Sequence, residues 1–486
     1  MASTSEQAEA YAYENRRRTT SLIRGADEAR NDPRRRLNRG VGGGIAIGIL
    51  IMAGFGIAGW LGGGKGPKLP DSGAVITGEG DRYVVSDGVV HPALNLASAL
   101  LVGGGQLTEV RQGVLNDAPR GLPVGIEGAP DALPGDGDLV TGDWTLCAVP
   151  SETGGEPTRT ALYISVPGVA PPEGAESATV LARSEDDRLW LLTEGRRYAI
   201  AESLLGALDL QRAETQQLPS AILATLPEGP EITLPEAGAD TGGTPAAGAL
   251  PFEAAVGDLA HTEMSGPNPQ YFVVRPDGLL SISEVVYRLL SVDAPDDHAI
   301  TGADAARAAS SQDSPPGDEF WPERLPRAQD PGRDQPICIS TPPGGQPGDT
   351  PWQATVHLPG AMPEPEGMDP VVTLDGTRLG QLDQIWIPTG KGVVVRATAS
   401  AGSGGTYTLV TDSGTAYPFS SPDAVQRLRY VPADAPSLPQ SFVRLLPRGP
   451  VLDPEAAGVE QREVAVPRDG GEAAGEGSGD ESGEGE

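Results

Sequence analysis

Two cysteines and four histidines in 486 residues leave little material for metal or thiol chemistry. The histidines, His91, His261, His298 and His357, stand far apart. None forms an i,i+4 pair or an HExxH motif, and none sits beside paired cysteines, the spacings that zinc sites use. Basic residues are also scarce. The chain has 35 Lys and Arg against 67 Asp and Glu, a net charge of −32. Binding phosphate requires clustered Lys and Arg, so the acidic bulk of the chain is a poor partner for nucleic acid or anionic lipid. Long apolar runs are scarcer still, and only one reaches the length that crosses a bilayer.

That run is Val41–Gly64. It contains no charged residue and exceeds the roughly 20 residues a helix needs to span a ~30 Å hydrocarbon core. Arg34, Arg35, Arg36 and Arg39 precede it, whereas only Lys65 and Lys68 follow before an acidic region begins. Positive charge marks the cytoplasmic flank. The pattern therefore predicts a single-pass anchor in the inner (cytoplasmic) membrane, with residues 1–40 cytosolic, 41–64 in the membrane and the large remainder extracytoplasmic. A cleaved signal peptide is the rival reading. The late start, the length and the lack of a clear small-x-small site favour a permanent anchor. Within the run, Gly44 and Gly48, then Gly54, Ala58 and Gly62, place small residues at four-residue spacing, a candidate face for close helix packing. Glycine is common in membrane helices generally, so the spacing also has a neutral explanation.

Nearly a quarter of the chain is Gly or Pro (66 and 47 residues), residues that resist helix interiors and central strands. Here they punctuate many short strands. A small pattern occurs four times: a strand, a turn at Asp87-Gly88, Glu194-Gly195, Asp277-Gly278 or Ser413-Gly414, a second strand, then a short amphipathic helical stretch. The expected fold class is α+β: one transmembrane helix, then a multi-domain extracytoplasmic region with a β-rich central domain and four small hairpin-helix repeats. The repeats are expected at 71–105, 177–217, 265–300 and 396–432. The central domain is expected in two parts, 106–150 and 318–395, with a Pro/Gly-rich connection at 218–251. Residues 433–457 should return to the core, and 458–486 should form an acidic disordered tail.

Cys147 and Cys338 both fall outside the membrane in this topology. An even pair in an oxidising compartment reads as a disulfide; two unrelated buried thiols are the alternative. The bond would close a loop of about 190 residues and contribute up to about 5 kcal/mol in the chain-entropy picture.

No catalytic, cofactor-binding or metal site is expected, and no cofactor. Gly59, Gly64 and Lys65 resemble the start of a P-loop, but Gly66 occupies the place of the Mg²⁺-binding Ser or Thr. Asp412-Ser413-Gly414 looks like a nucleophile context, yet it occupies the turn that the other repeats fill with Asp-Gly or Glu-Gly. Acidic clusters such as Asp296-Asp297 and Glu185-Asp186-Asp187 read as solvated turns. Tyr83, Trp190 and Tyr407 could meet glycan, although their strand positions suit small hydrophobic cores better.

Several motifs then resemble one family over nearly the whole chain. His91-Pro92-Ala93-Leu94-Asn95-Leu96-Ala97-Ser98-Ala99, Gly128-Ala129-Pro130-Asp131-Ala132-Leu133-Pro134 and Trp144-Thr145-Leu146-Cys147 are similar to signatures of EccB, a membrane component of actinobacterial type VII (ESX) secretion systems. Pro119-Arg120-Gly121 and the closing Leu446–Pro454 segment also match. The cytosolic start around Tyr11–Asn15 and the acidic tail depart from the pattern. The resemblance implies a structural and assembly subunit of the secretion membrane complex. Its expected partners are an EccC-type FtsK/SpoIIIE ATPase, EccD, EccE, a mycosin protease and further copies of itself. It also implies a central domain with four repeats like a phage-lysin wall-binding fold, which makes peptidoglycan binding the alternative function. Some family members are assigned ATPase activity, for which these residues offer no supporting motif.

Overall fold

The computed structural model describes residues 4–24, 34–62, 69–151, 159–236, 241–262, 269–294, 296–332, 334–344, 352–373, 377–399 and 403–461. The chain divides into two compact units, Met1–Lys68 and Leu69–Glu486.

The first unit holds two helices, α1 (Thr4–Arg24) and α2 (Arg34–Gly62). At 1.5 Å per residue α2 is about 43 Å long. Its stretch Gly40–Ile57, with mean hydropathy 2.0 and none of it buried, is the one described helix long and apolar enough to cross a membrane.

The second unit contains four copies of one motif. In the first, β1 (Gly73–Thr77), β2 (Arg82–Ser86) and β3 (Val89–Pro92) form an antiparallel meander. Helix α3 (Leu96–Val102) then carries the chain across, and β4 (Leu107–Val110) pairs in parallel with β1. A short second helix, α4 (Gln112–Asn116), follows. Strands β5 (Trp144–Val149) and β6 (Arg159–Ile164) begin the central sheet.

The second copy is β7 (Val180–Arg183), β8 (Leu189–Thr193), β9 (Arg196–Ala199), β10 (Thr215–Gln217) and α5 (Ser220–Leu223). The third is β11 (Leu259–Thr262), β12 (Tyr271–Arg275), β13 (Gly278–Ile282), α6 (Glu284–Leu290), β14 (Asp297–Ile300) and α7 (Gly302–Arg307). Strands β15 (Ile337–Thr341), β16 (Thr355–His357) and β17 (Gln384–Trp386) complete the central sheet. The fourth copy is β18 (Val393–Thr398), β19 (Gly405–Val410), β20 (Ala416–Pro418), α8 (Pro422–Arg427), β21 (Ser437–Pro439) and α9 (Gln440–Leu445). A last helix, α10 (Pro454–Ala457), packs back on α3. In all four sheets the order of the motif's strands is third, second, first, fourth.

Local sequence explains these units. Asp87-Gly88 and Glu194-Gly195 have φ of 51°/77° and 49°/70°. Two successive positive φ values match the strand twist of a tight hairpin. The helices start at short polar caps: Asn95, Ser283 and Ser421 accept from the backbone N–H groups of Ser98, Val286 and Ala424. After the second helix the chain returns beside the third strand. Val90, Arg197, Leu279 and Ala416 each donate a backbone N–H, to the carbonyls of Pro119, Pro227, Ala309 and Pro447.

The hairpin-helix pattern visible in the sequence is thus the middle of a larger motif, and several expected boundaries move. Leu259–Thr262 opens the third repeat, and residues 393–395 open the fourth instead of ending the central domain. Leu107–Val110 and α4 close the first repeat, and Arg159–Ile164, past the expected 106–150 part, supplies the second central strand. The helical stretch expected from residue 203 is a single 3₁₀ turn, Glu202–Leu204. The expected connection at 218–251 begins as folded core: Leu218, Leu223, Leu226 and Ile232 are buried. At the other end, Gln461 donates its backbone N–H to Pro123 O at 2.8 Å, so residues 458–461 belong to the fold. The rest of the expected acidic tail lies outside the described residues, as do Gly64, Lys65 and Gly66.

Packing links the repeats out of sequence order. Ala97 and Leu101 of the first share a core with Leu409, Phe419 and Val425 of the fourth. Leu181, Leu191 and Tyr198 of the second share one with Leu259, Val273 and Leu289 of the third. The central sheet, order β16-β15-β5-β6-β17, joins the two pairs. One of its faces (Trp144, Leu146, Leu162, Ile339) packs against Val180 and Leu192 of the second repeat and Val395 and Phe442 of the fourth.

Candidate functional site

The second face of the central sheet carries the cysteines. Side chains alternate along a strand, so Leu146 and Ala148 enter the shared core while Cys147 and Val149 point the other way. Cys147 and Cys338 are directly opposed on antiparallel β5 and β15. Their Cα atoms are 4.1 Å apart and their sulfurs are bonded at 2.02 Å, both residues being fully buried. Next across the sheet comes His357, the register partner of Cys338 on β16. Tyr163 and Trp386 stack on the same face with ring centroids 5.7 Å apart. The Tyr163 hydroxyl donates to Pro363 O at 2.7 Å, and burial raises its pKa. Neither His357 ring nitrogen has a hydrogen-bond partner among the described residues. Burial holds its pKa below 6.5 and outweighs the nearby Thr355 and Val169 backbone. The bond closes the stretch of chain that holds the second and third repeats, within the sheet that joins that pair to repeats one and four.

The other histidines serve strand ends. His91 Nδ1 lies 3.0 Å from Leu122 O. His298 Nε2 meets the buried Asp258 at 2.9 Å. His261 joins a cluster that spacing did not reveal: Tyr287 donates its hydroxyl to Asp297 at 2.7 Å, and His261 Nδ1 lies 3.1 Å from both. Asp297 is therefore a strand residue with partners, whereas Asp186 and Asp187 do sit in the expected turn. The signal was the parallel pairing of β11 with β14, which places His261 and Asp297 on neighbouring strands. No group of three or more potential metal ligands occurs among the described residues.

Ser413 is a turn residue, its hydroxyl 2.8 Å from that of Thr411, while Asp412 accepts from Gly390 N. Trp190 is only 5% exposed, with Arg188 and Arg197 over its ring at 4.6 and 4.7 Å. It belongs to the core. The third repeat bears an open groove of about 950 Å³ whose lining includes Tyr271, Glu284, Phe320, Trp321 and Glu323.

In α2, a Cβ added at Gly44, Gly48 or Gly54 would meet nothing within 4 Å. At 100° per residue these three, with Ala58 and Gly62, fall within an arc of about 120°. The side chains of residues 58–62 lie outside the described residues.

Comparison with known proteins adds the following. The family model described as "Type VII secretion system ESX-1, transport TM domain B" matches residues 1–466. The chain is 28% identical to the ESX-1 secretion system ATPase EccB1 of Mycobacterium tuberculosis H37Rv, covering 94% of both chains. It is 25% identical to EccB1 of Mycolicibacterium smegmatis, covering 94% of this chain and 95% of that one. Among solved structures, a chain of an intact ESX-5 inner membrane complex superposes with TM-score 0.60 at 23% identity over 98% of both. A chain of the EccB3 dimer from the ESX-3 core complex superposes with TM-score 0.60 at 23% identity, over 80% of this chain and all of that one.

Proposed function

Since the chain belongs to the EccB family of type VII secretion membrane components, we propose that it is a structural and assembly subunit of an ESX inner membrane complex, supporting protein export. The observation that carries this reading is architectural. One apolar helix precedes four copies of one motif joined through a disulfide-bonded sheet, and the chain superposes on one of the EccB3 dimer with TM-score 0.60. The arginine-rich flank supports a cytosolic position for residues 1–40 and an extracytoplasmic one for the repeats. An EccC-type FtsK/SpoIIIE ATPase, EccD, EccE, a mycosin protease and further EccB copies are the expected neighbours. The glycine-lined face of α2 is the expected contact inside the membrane.

Deleting the gene should abolish export of small helical-hairpin substrates and lower the mass of the membrane complex; unchanged export and mass would refute the role. The relatives' name, ATPase, supports a second reading. Steady phosphate release by the purified chain, lost on Lys65→Ala or another point substitution, would establish it.

A further inference from the structure

Helix α1 is 21 residues long, and nearly all of it is solvent-exposed, including Tyr11, Leu22 and Ile23. Leu22 is 86% and Ile23 76% exposed, a large cost for apolar side chains left in water. At 100° per residue, Ala8, Tyr11, Ala12, Asn15, Thr19, Leu22 and Ile23 occupy an arc of about 120°. Arg18 lies just past one border of that arc and Arg16 just past the other. Glu6, Glu9 and Glu14 lie outside it, and Glu14 meets Arg18 at 3.7 Å in an exposed i,i+4 pair that a headgroup would have to replace.

Three hydroxyl groups in the C-terminal half of α1 are bonded to the helix's own backbone. Thr19 donates its hydroxyl to Asn15 O at 2.7 Å, Thr20 to Arg16 O at 2.7 Å, and Ser21 to Arg18 O at 2.9 Å. Thr19, on the arc beside Leu22 and Ile23, can therefore leave water without stranding its hydroxyl donor. Charge is also sorted along the axis: all the acids precede residue 15, while Arg16, Arg17, Arg18 and Arg24 follow. The C-terminal half is purely basic.

Nine residues separate Arg24 from Arg34, the start of the apolar helix. A chain of that length reaches at most about 30–35 Å, so the basic half of α1 stays within that distance of the bilayer surface at which α2 begins. We infer that the C-terminal half of α1 lies in the membrane interface, with Leu22 and Ile23 entering the headgroup boundary and Arg16 and Arg18 bound to anionic lipid headgroups. Arginines bordering an apolar face keep their charge at headgroup level while their stems cover the acyl boundary. The preference for anionic lipid is carried by these arginines, each worth a few-fold in surface partition.

The test uses the full-length protein in nanodiscs. A fluorophore on Leu22→Cys, the native cysteines being bonded to each other, reports depth through quenching by spin-labelled lipid. Strong quenching is expected in phosphatidylcholine discs containing phosphatidylglycerol, weakening with salt. Arg16→Gln/Arg18→Gln should shift the docked-to-free ratio roughly thirtyfold toward free, while Arg16→Lys/Arg18→Lys should retain it. Equal quenching in pure phosphatidylcholine would overturn the headgroup assignment. So would an unquenched label in both discs, or protection that arises only when other subunits of the complex are added.

Discussion

Gly229 lies against the ring of Tyr198 so closely that a Cβ at Gly229 would sit 2.2 Å from ring carbon Cε1. The same contact recurs where the chain returns after the second helix. A Cβ at Gly449 would sit 2.3 Å from the Tyr417 ring, and one at Gly121 2.2 Å from the His91 ring. In each case a Pro-x-Gly segment pairs with the third strand, and the aromatic residue covers the glycine. These contacts lock the ends of the first, second and fourth repeats to their own sheets.

Gly229→Ala should therefore destabilise the ectodomain by about 1–3 kcal/mol, because Tyr198 is fully buried and cannot step aside. Gly449→Ala should behave alike. Gly206→Ala, where an added Cβ meets nothing within 4 Å, is the control and should stay within about 0.5 kcal/mol of the parent. Chemical denaturation of the three variants checks this, and equal midpoints would contradict it.

The disulfide makes a topological prediction. A protease site engineered between Glu236 and Thr241 falls between Cys147 and Cys338, so the cut chain should run as one species on a denaturing non-reducing gel and as two with reductant. Cys147→Ser should separate without reductant and lose about 2–5 kcal/mol of stability. Two thiols that alkylate freely in the native, unreduced protein would sink the bond.

Much of this was legible beforehand because it depends on local chemistry. The turns at Asp87-Gly88 and Glu194-Gly195 and the apolar run of α2 are written in a few adjacent residues. The outer strands of each repeat were not. Thr215–Gln217 and Ser437–Pro439 are three-residue strands without clear alternation, defined only by parallel partners far back in the chain. The pairing of repeat one with four and two with three was equally hidden, since Leu101 and Leu409 meet only after the whole domain closes. The Tyr287–His261–Asp297 cluster went unseen for the same reason.

His357 sets a pH dependence. Burial depresses its folded pKa below the ordinary 6.5, so the folded state favours the neutral ring. Its contribution is fully present above pH 6.5 and is lost as pH falls toward the folded pKa. The lowered carboxylates of Asp138, Asp304 and Asp453 act the same way, but only below about 3.8. Between pH 7 and 5 the histidine should dominate among these groups. His357→Gln should flatten the fall in stability across that window, and an unchanged slope would assign it elsewhere.

The membrane helix supplies the last test. If the Gly44, Gly48 and Gly54 face packs against another helix, its lack of side chains lets the two backbones approach closely, and packing within lipid depends on that approach. Gly48→Ile would hold a partner away while raising hydropathy, so insertion should be preserved. The repeats, a separate compact unit, should melt as before. The expected outcome is a smaller membrane complex on native gels and reduced co-purification of the other subunits at an unchanged amount of inserted protein. Ile49→Leu, on the opposite side of the helix, should leave the complex intact. A Gly48→Ile complex of full mass would show that this face meets lipid alone.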